Sequence, residues 1–334
     1  MLQISRLALA LAMCGAAAGH AADIKVGIAL DISGPFAALG AGARDGFELA
    51  IEKLDDKLGG QPATFLRTDF GGNPEQANQL VARYLQRDRI DFFTGPIGSN
   101  AALAVGPALF AAKVPYLSAN PGPSAYAGER CNPYFFAQYQ NDTYDEAAGK
   151  VANEKGYRKV VFFFLPGAMG INFVKQFVGG GLKDIPLIAP GFSADEDVIQ
   201  AVGEAMIGVL NTAHWTHDLD NAANTAFVAA FRKKYDGRYP SVYAAMAYDT
   251  LMAMDAAVRD AGGKLGDRDA LLKALKNPSF QSVRGEYSYG ANNFPVQNYY
   301  LREVGKDADG RITNKLVGTT LEKHQDAYVG ACKM

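Results

Sequence analysis

The sequence predicts an α/β protein made of two doubly wound lobes, each built around a parallel sheet. Short apolar runs alternate with amphipathic helical segments along the chain, which is typical of parallel βαβ units. The alternation occurs in two series, and residues 118–133, rich in Gly, Pro, Ser and Ala, separate them in the manner of a linker. A length of 334 residues suits two such domains.

The first series begins with Ile24–Leu30, an apolar run typical of a strand that is buried on both faces of a sheet. The segment Asn73-Pro74-Glu75-Gln76 predicts a helix start, because it combines an N-cap side chain, an N-terminal proline and early acidic charge. The other predicted elements of this series are strands at residues 63–68, 90–93 and 114–117, a helix with an apolar face of Phe47, Ala50, Ile51 and Leu54, and a helix from Ser99.

The second series alternates in the same way and ends in a change of pattern. Its predicted helices cover residues 142–154, 168–178, 195–206 and 221–235, its strands cover residues 160–165, 185–189 and 208–210, and a long helix follows at residues 241–261. From Phe280 onward, alternating β residues predict strands, with a turn at residues 307–310.

The N-terminal segment is typical of a secretory signal peptide. It has one basic residue, Arg6, then an apolar stretch from Leu7, then small residues. The stretch is shorter than the roughly 20 apolar residues that a spanning helix needs. We expect a signal peptide over residues 1–21, with cleavage after Ala21 or, alternatively, Ala22, and an exported, periplasmic protein. A lipid anchor on Cys14 stays open, although Met13 stands where such sites carry Gly or Ala.

The charges exclude two classes of partner. The 33 basic and 35 acidic residues are mixed along the chain, so we expect no nucleic-acid face and no polybasic membrane patch. The charge distribution is compatible with a small neutral or anionic ligand.

The sequence contains fragments of metal-site and phosphate-site motifs, but none of them is complete. His214 and His217 are three residues apart, but no helix is indicated there, no cysteine lies within reach, and two further ligands would have to come from elsewhere. The run Gly179-Gly180-Gly181 lacks the Lys-Ser or Lys-Thr of a phosphate loop and is better read as a helix end. We expect no metal, no cofactor and no enzymatic activity. A hydrolase with an unrecognised site stays an alternative, as does a ligand-sensing module of the same fold.

Four phrases carry a family resemblance, and their order covers nearly all of the chain after the signal peptide. The sequence resembles the branched-chain amino-acid and amide (Leu/Ile/Val) type of periplasmic solute-binding protein in the phrases IKVGIALDISGPFAALG, FFTGPIGSNAALAV, VPYLSANPGPS and NTAFVAAFRKKYDGRYPSVYAAMAYDTLMAMDAA. Within that family, CNPYFFAQYQNDT, FFFLPGAMGINFVKQF and AHWTHDLDNAANTAFVAAF are similar to members that carry aromatic acids.

The resemblance implies a type I periplasmic binding protein, with two lobes joined by three crossing strands and a ligand-binding cleft that closes by a hinge. It also implies transport of a small carboxylate, an aromatic acid or a branched-chain amino acid, with the membrane subunits of an ABC importer as partners. We expect a monomer. The expected first lobe comprises residues 22–119 and 244–320, and the second comprises residues 120–243 and 321–334.

Ser99 is the leading candidate for holding the ligand carboxylate. It follows a predicted strand and opens a helix, where unpaired backbone N–H groups and positive partial charge attract anions. The alternative is that Ser99 only caps its helix. The resemblance adds Asn120, Gly122 and Ser124 as a second contact loop, for which a linker turn is the alternative.

Apolar contacts to the ligand are expected from both lobes. Ser33 and Phe36 follow the first strand and belong at the mouth of the cleft, although Phe36 also fits ordinary packing. In the second lobe the resemblance places Phe164 and Met169 at the cleft wall, with Phe192 as a further candidate. Core packing is the alternative for these apolar side chains.

The two cysteines outside the signal peptide, Cys131 and Cys332, permit one disulfide in an exported protein. The resemblance implies that the C-terminal tail returns toward the start of the second lobe, so we expect the two residues to be bonded.

The second lobe is expected to be shortened between residues 159 and 160. Where relatives have a strand, helix, strand and helix in succession, residues 160–164 run directly into Leu165-Pro166-Gly167, as though two strands had been joined. We therefore expect fewer strands in the second lobe, an exposed sheet edge and weakened ligand binding. A truncated variant that does not function in transport is the alternative.

Overall fold

The computed structural model describes residues 23–163 and 167–334. The predicted signal peptide and Phe164 lie outside the described residues. In the first half of the chain the elements are β1 (Ile24–Leu30), α1 (Ala37–Leu54), β2 (Lys57–Leu58), β3 (Gln61–Asp69), α2 (Pro74–Arg83), β4 (Phe92–Thr94), α3 (Ser99–Ala111), β5 (Tyr116–Ser118), α4 (Ser124–Ala127) and β6 (Phe135–Ala137).

The second half continues the alternation and then ends in a hairpin. Its elements are α5 (Thr143–Glu154), β7 (Val161–Phe162), α6 (Gly167–Gly179), β8 (Leu187–Pro190), α7 (Glu196–Val202), β9 (Leu210–Ala213), α8 (Ala222–Lys234), α9 (Val242–Asp260), α10 (Arg268–Lys276), β10 (Ser288–Tyr289), β11 (Pro295–Lys306) and β12 (Ile312–His324). Among the residues described, no helix is long and apolar enough to cross a membrane.

Two sheets organise these elements, as the sequence predicts. The first has the strand order β2-β3-β1-β4-β5-β6, and the second has the order β10-β11-β9-β8-β7 with β12 paired to β11. All pairs among β3, β1, β4, β5 and β6 are parallel, as are β7 with β8 and β8 with β9. The predicted α/β fold class with two doubly wound lobes is confirmed.

Within the described ranges each sheet has six strands, so the expectation of fewer strands in the second lobe is met only for the parallel strands. The second sheet has three parallel strands among these residues, where the first sheet has five. Its outer strand β7 pairs only with β8 and has two residues, of which Phe162 is 37% exposed. The sheet therefore ends in an open edge at the predicted junction.

Strand pairing divides the chain differently from the expected lobe boundaries. Strands β11 and β12 were expected in the first lobe, but β11 pairs antiparallel with β9, with Tyr300 opposite Ala213. Strand β6, expected in the second lobe, pairs with β5 in the first sheet. Helix α9 packs along α1 on the first lobe, as expected. Three connections consequently join the sheets: β6 to α5, α8 to α9, and α10 to β10.

A buried polar network ties these connections together. Arg284, 4% exposed, donates from Nη1 to the carbonyl oxygen of Gln138 at 2.9 Å and to Oε1 of Gln297 at 2.8 Å. Its Nε lies 3.2 Å from Oδ2 of Asp249 on α9. Since Gln138 follows β6 and Arg284 itself lies between α10 and β10, one guanidinium group links two of the connections to α9.

Helices α1 and α9 pack closely because α1 carries glycine where they cross. A Cβ on Gly46 would lie 2.1 Å from the carbonyl oxygen of Ala244, so only glycine fits. Tyr248 of α9 accepts a hydrogen bond at its hydroxyl from Lys53 of α1 at 2.8 Å.

Helix α2 begins as predicted, because Oδ1 of Asn73 accepts a hydrogen bond from the backbone N–H of Glu75 at 2.8 Å.

The predicted disulfide between Cys131 and Cys332 is present, with Cα atoms 5.5 Å apart. Its place differs from the expectation, since Cys131 lies between α4 and β6 and so ties the C-terminal tail to the first lobe. Tyr328 of the tail packs against the apolar cluster of that lobe.

Replacing both cysteines with serine should lower the free energy of unfolding by about 3–5 kcal/mol, because the bond closes a long loop in the unfolded chain. The cysteines are 201 residues apart. Urea unfolding measures the loss. Reduction with dithiothreitol should lower the midpoint of the wild type and leave the double variant unchanged. Equal midpoints for the oxidised wild type and the double variant would contradict the structural role of the bond.

Candidate functional site

A cavity of about 250 Å³ lies between the two lobes, at the carboxyl ends of β1, β4, β5 and β6. This is the edge where open α/β sheets bind ligands. The second lobe contributes Phe192, which follows β8. The cavity is lined by Phe36, Leu39, Ile97, Gly98, Ser99, Asn120, Tyr139, Asn141, Asp142, Asp145, Phe192 and Tyr243.

The first turn of α3 opens onto this cavity. Its N-cap is Gly98, which offers no side chain to the first backbone N–H groups, and Ser99 is the first helical residue. Oγ of Ser99 accepts a hydrogen bond from Nδ2 of Asn141 at 2.9 Å. Because the Ser99 oxygen is the acceptor there, its hydroxyl hydrogen and the first-turn amides remain available to a carboxylate.

The second predicted contact loop is only partly at the cavity. Asn120 lines it, but Nδ2 of Asn120 already donates to the carbonyl oxygen of Ile97 at 2.7 Å. Gly122 packs against the segment that follows β6 instead, since a Cβ there would lie 1.7 Å from the carbonyl oxygen of Tyr139. Ser124 begins α4 and is not among the lining residues. A direct contact from Asn120 to the ligand stays a prediction.

Aromatic side chains form the walls. Phe36 lies over Gly98, and Phe192 lines the cavity from the second lobe. The buried rings of Tyr139 and Tyr243 complete the aromatic lining. Of the other predicted contacts, Ser33 is exposed on the preceding loop and Met169 is 59% exposed, and neither lines the cavity.

Two carboxylates stand at the rim. Asp142 and Asp145 both line the cavity, and each keeps part of its surface exposed. Partial burial and the neighbouring Asp142 raise the pKa of Asp145 to about 6. Oδ2 of Asp142 accepts a hydrogen bond from the hydroxyl of Tyr328 at 2.5 Å, which brings the C-terminal tail to the rim.

His214, considered above as a metal ligand, lies in the core beneath this site. Its Nδ1 is 2.8 Å from the hydroxyl of Tyr144, and its ring stacks on Tyr139 with centroids 4.9 Å apart. Burial holds its pKa well below the usual value, so the ring is neutral. Across the described part of the chain, no group of three or more His, Cys, Asp or Glu side chains is placed to hold a metal ion.

Several lining residues were missed by the sequence reasoning. Tyr139, Asn141, Asp142 and Asp145 all follow β6, in a stretch that reads as an ordinary helix start. The polar run itself was the signal, because polar side chains at the carboxyl end of a parallel strand face the same edge as Ser99. Asp31, directly after β1, was also missed; it does not line the cavity, and its position after a strand does not show its burial.

A larger cavity, about 760 Å³, lies elsewhere, between the start of α8 and residues 276–288. It contains none of the predicted ligand contacts. We place the site in the smaller cavity because four strand ends and both lobes converge on it.

Known proteins resemble this chain over almost its whole length. The family described as "Periplasmic binding protein" matches residues 23–164 and 158–310. Leu/Ile/Val-binding protein homolog 6 of Brucella melitensis biotype 1 is 28% identical over 394 aligned positions, covering 98% of each protein. That alignment is longer than the chain, which agrees with a missing unit. The two family matches overlap at residues 158–164, which include β7 and adjoin the predicted junction.

Two solved structures share the fold. An ABC-transporter solute-binding protein from R. palustris in complex with benzoate is 27% identical, with a TM-score of 0.85, and the match covers 93% of this chain and all of that one. A solute-binding protein from Rhodopseudomonas palustris BisB5 in complex with 3,4-dihydroxybenzoic acid is 26% identical, with a TM-score of 0.84, covering 91% and 99%.

Proposed function

Since the chain belongs to the periplasmic binding protein family, we propose that it is the solute-binding protein of an ABC importer and holds a small carboxylate between its lobes. The observation that carries this proposal is the cavity itself. Free donors at the first turn of α3 face one side of it, and aromatic rings from both lobes enclose the other. Donors at one end and apolar walls at the other suit a molecule with a carboxylate and a flat or branched body.

An aromatic acid is the first choice of ligand, and a branched-chain amino acid is the second. The benzoate and dihydroxybenzoate complexes of similar proteins support the first. A volume of about 250 Å³ suits a single ring. The rim carboxylates Asp142 and Asp145 favour the second, because an ammonium group would be attracted to them.

The remaining expectations follow from the family. The protein acts in the periplasm after loss of residues 1–21, it works as a monomer, and the membrane subunits of the importer receive its closed, loaded form. The alternatives of a sensing module and a hydrolase have no specific observation in their favour.

A thermal-shift screen of residues 22–334 tests the proposed ligand class. Benzoate, 4-hydroxybenzoate, leucine and isoleucine are compared with benzyl alcohol, putrescine and glucose. A ligand at 100 times its Kd stabilises the folded state by about 2.7 kcal/mol, so at least one carboxylate should raise Tm in a concentration-dependent way. Benzyl alcohol, which keeps the ring and lacks the charge, should not. A shift with putrescine or glucose and none with any carboxylate would overturn the proposal.

A further inference from the structure

Asp31 lies directly behind the expected carboxylate receptor. It follows β1 and is fully buried. Its Oδ2 accepts a hydrogen bond from the backbone N–H of Ile97 at 2.6 Å, and the N–H groups of Gly98 and Gly72 also face its carboxylate. The protein thus holds one of its own carboxylates against the loop that leads into α3.

The second oxygen of Asp31 is less well satisfied than the first. Oδ1 is buried and accepts no hydrogen bond of good geometry, although the N–H of Gly72 faces the carboxylate. A Cβ added to Gly72 would lie 3.4 Å from this oxygen and 3.4 Å from Cδ2 of Phe36, so Gly72 lies next to both the carboxylate and the Phe36 ring. A buried oxygen without a well-placed donor is costly when it is charged.

The same arrangement opposes an anionic ligand. Gly98 and Ser99 line the cavity, and Asp31 contacts the residues immediately before Ser99. A ligand carboxylate bound at the first turn of α3 would therefore be separated from Asp31 only by the Ile97-Gly98 turn. Two like charges at that separation repel each other, and protonation of Asp31 would relieve the repulsion.

We propose that Asp31 is a positioning residue that holds the Ile97-Gly98 turn for the ligand and that its charge makes capture of an anionic carboxylate depend on the uptake of one proton. This inference rests on the proposed function. It predicts that an anion binds more tightly as pH falls.

The groups around Asp31 support a titration near neutral pH. Burial is the main cause that raises its pKa to about 6, and the charge of Asp69 at the end of β3 adds to it, while the N–H groups of Ile97, Gly98 and Gly72 oppose it. Tyr116 of β5 also faces it. Asp145 at the cavity rim titrates in the same range and must be separated from it.

Benzoate binding between pH 5.5 and 8, measured by isothermal titration calorimetry, separates the two carboxylates. All variants carry D145N to remove the rim charge. D145N alone should bind benzoate about tenfold more tightly at pH 5.5 than at pH 8, which corresponds to a rise of one unit in the pKa of Asp31 on binding. D31N/D145N keeps an acceptor for the Ile97 N–H and lacks the charge, so its Kd should be independent of pH and match the low-pH value. D31A/D145N loses the acceptor as well, so it should bind more weakly at every pH.

A measurement without ligand checks the charge itself. The folded-state pKa lies above the ordinary value of 3.8, so the folded protein loses stability as pH rises from about 4 to 6 and Asp31 ionises. The urea midpoint of D31N, measured relative to that of the wild type, should therefore rise as pH increases over this range. The same pH slope in D31N/D145N as in D145N, or equal weakening in D31N/D145N and D31A/D145N, would overturn the role of Asp31. If D145N and the wild type bind no carboxylate at any pH, the proposed function itself fails.

Discussion

Replacing Arg302 with Met is expected to lower the free energy of unfolding by about 3–5 kcal/mol, because it leaves a buried carboxylate without its counter-ion. Arg302 lies on β11 with its side chain 1% exposed, and its Nη1 is 3.1 Å from Oδ1 of Asp195, which is itself fully buried. Nε also donates to Oδ1 of Asn211 on β9 at 2.7 Å.

The carboxylate that Arg302 neutralises also holds the lobes together. Oδ2 of Asp195 accepts a hydrogen bond from the backbone N–H of Val242 at 2.6 Å, at the start of α9. Helix α9 packs on α1 of the first lobe, whereas Asp195 precedes α7 beside the second sheet. Loss of Arg302 should therefore loosen the contact between the lobes as well as the second sheet.

Arg259→Met is the matched control for this prediction. Arg259 makes a closer ion pair, with Nη1 2.7 Å from Oδ2 of Asp255, but its side chain is 51% exposed. Exposed pairs contribute about 0–1 kcal/mol, so this change should be nearly silent in urea unfolding. Similar losses for the two substitutions would contradict the account.

The pH dependence of the Arg302→Met variant gives a further check. Burial raises the pKa of Asp195, and removal of Arg302 removes the main cause that lowers it. A carboxyl whose folded-state pKa is raised binds a proton that the unfolded chain releases, so its penalty grows as pH rises. The deficit should thus be smaller at pH 5 than at pH 8, and adding Asp195→Asn should restore part of the stability at pH 8.

Local patterns were enough to predict most helices and strands, but not how the last strands pair. The cap at Asn73 and the apolar run at Ile24–Leu30 depend on neighbours in the chain, and both appear as predicted. The partner of β11 depends instead on residues about 90 positions away, through contacts such as Arg302 with Asn211. Alternation of side chains predicts a strand and does not specify which sheet it joins.

The candidate site was predicted in part. Ser99 and Phe36 reach the cavity because both follow the ends of parallel strands, where the fold class itself determines their position. Gly122 and Ser124 do not reach it, because their loop folds back against the segment that follows β6. Asp31 could not be assigned a role from sequence, since an aspartate after a strand shows neither its burial nor its contact with the loop before α3.

Binding of benzoate to Ser99→Phe, measured by isothermal titration calorimetry, tests the central claim most directly. A phenyl ring at Ser99 would fill the cavity of about 250 Å³ at the first turn of α3. Ala226→Phe, which adds the same ring to an exposed position of α8, is the control, and urea unfolding confirms that both variants fold. We expect Ser99→Phe to weaken benzoate binding at least about 100-fold, or about 2.8 kcal/mol, with Ala226→Phe unchanged. Affinity within about twofold of the wild type for a folded Ser99→Phe would show that the ligand does not bind between the lobes.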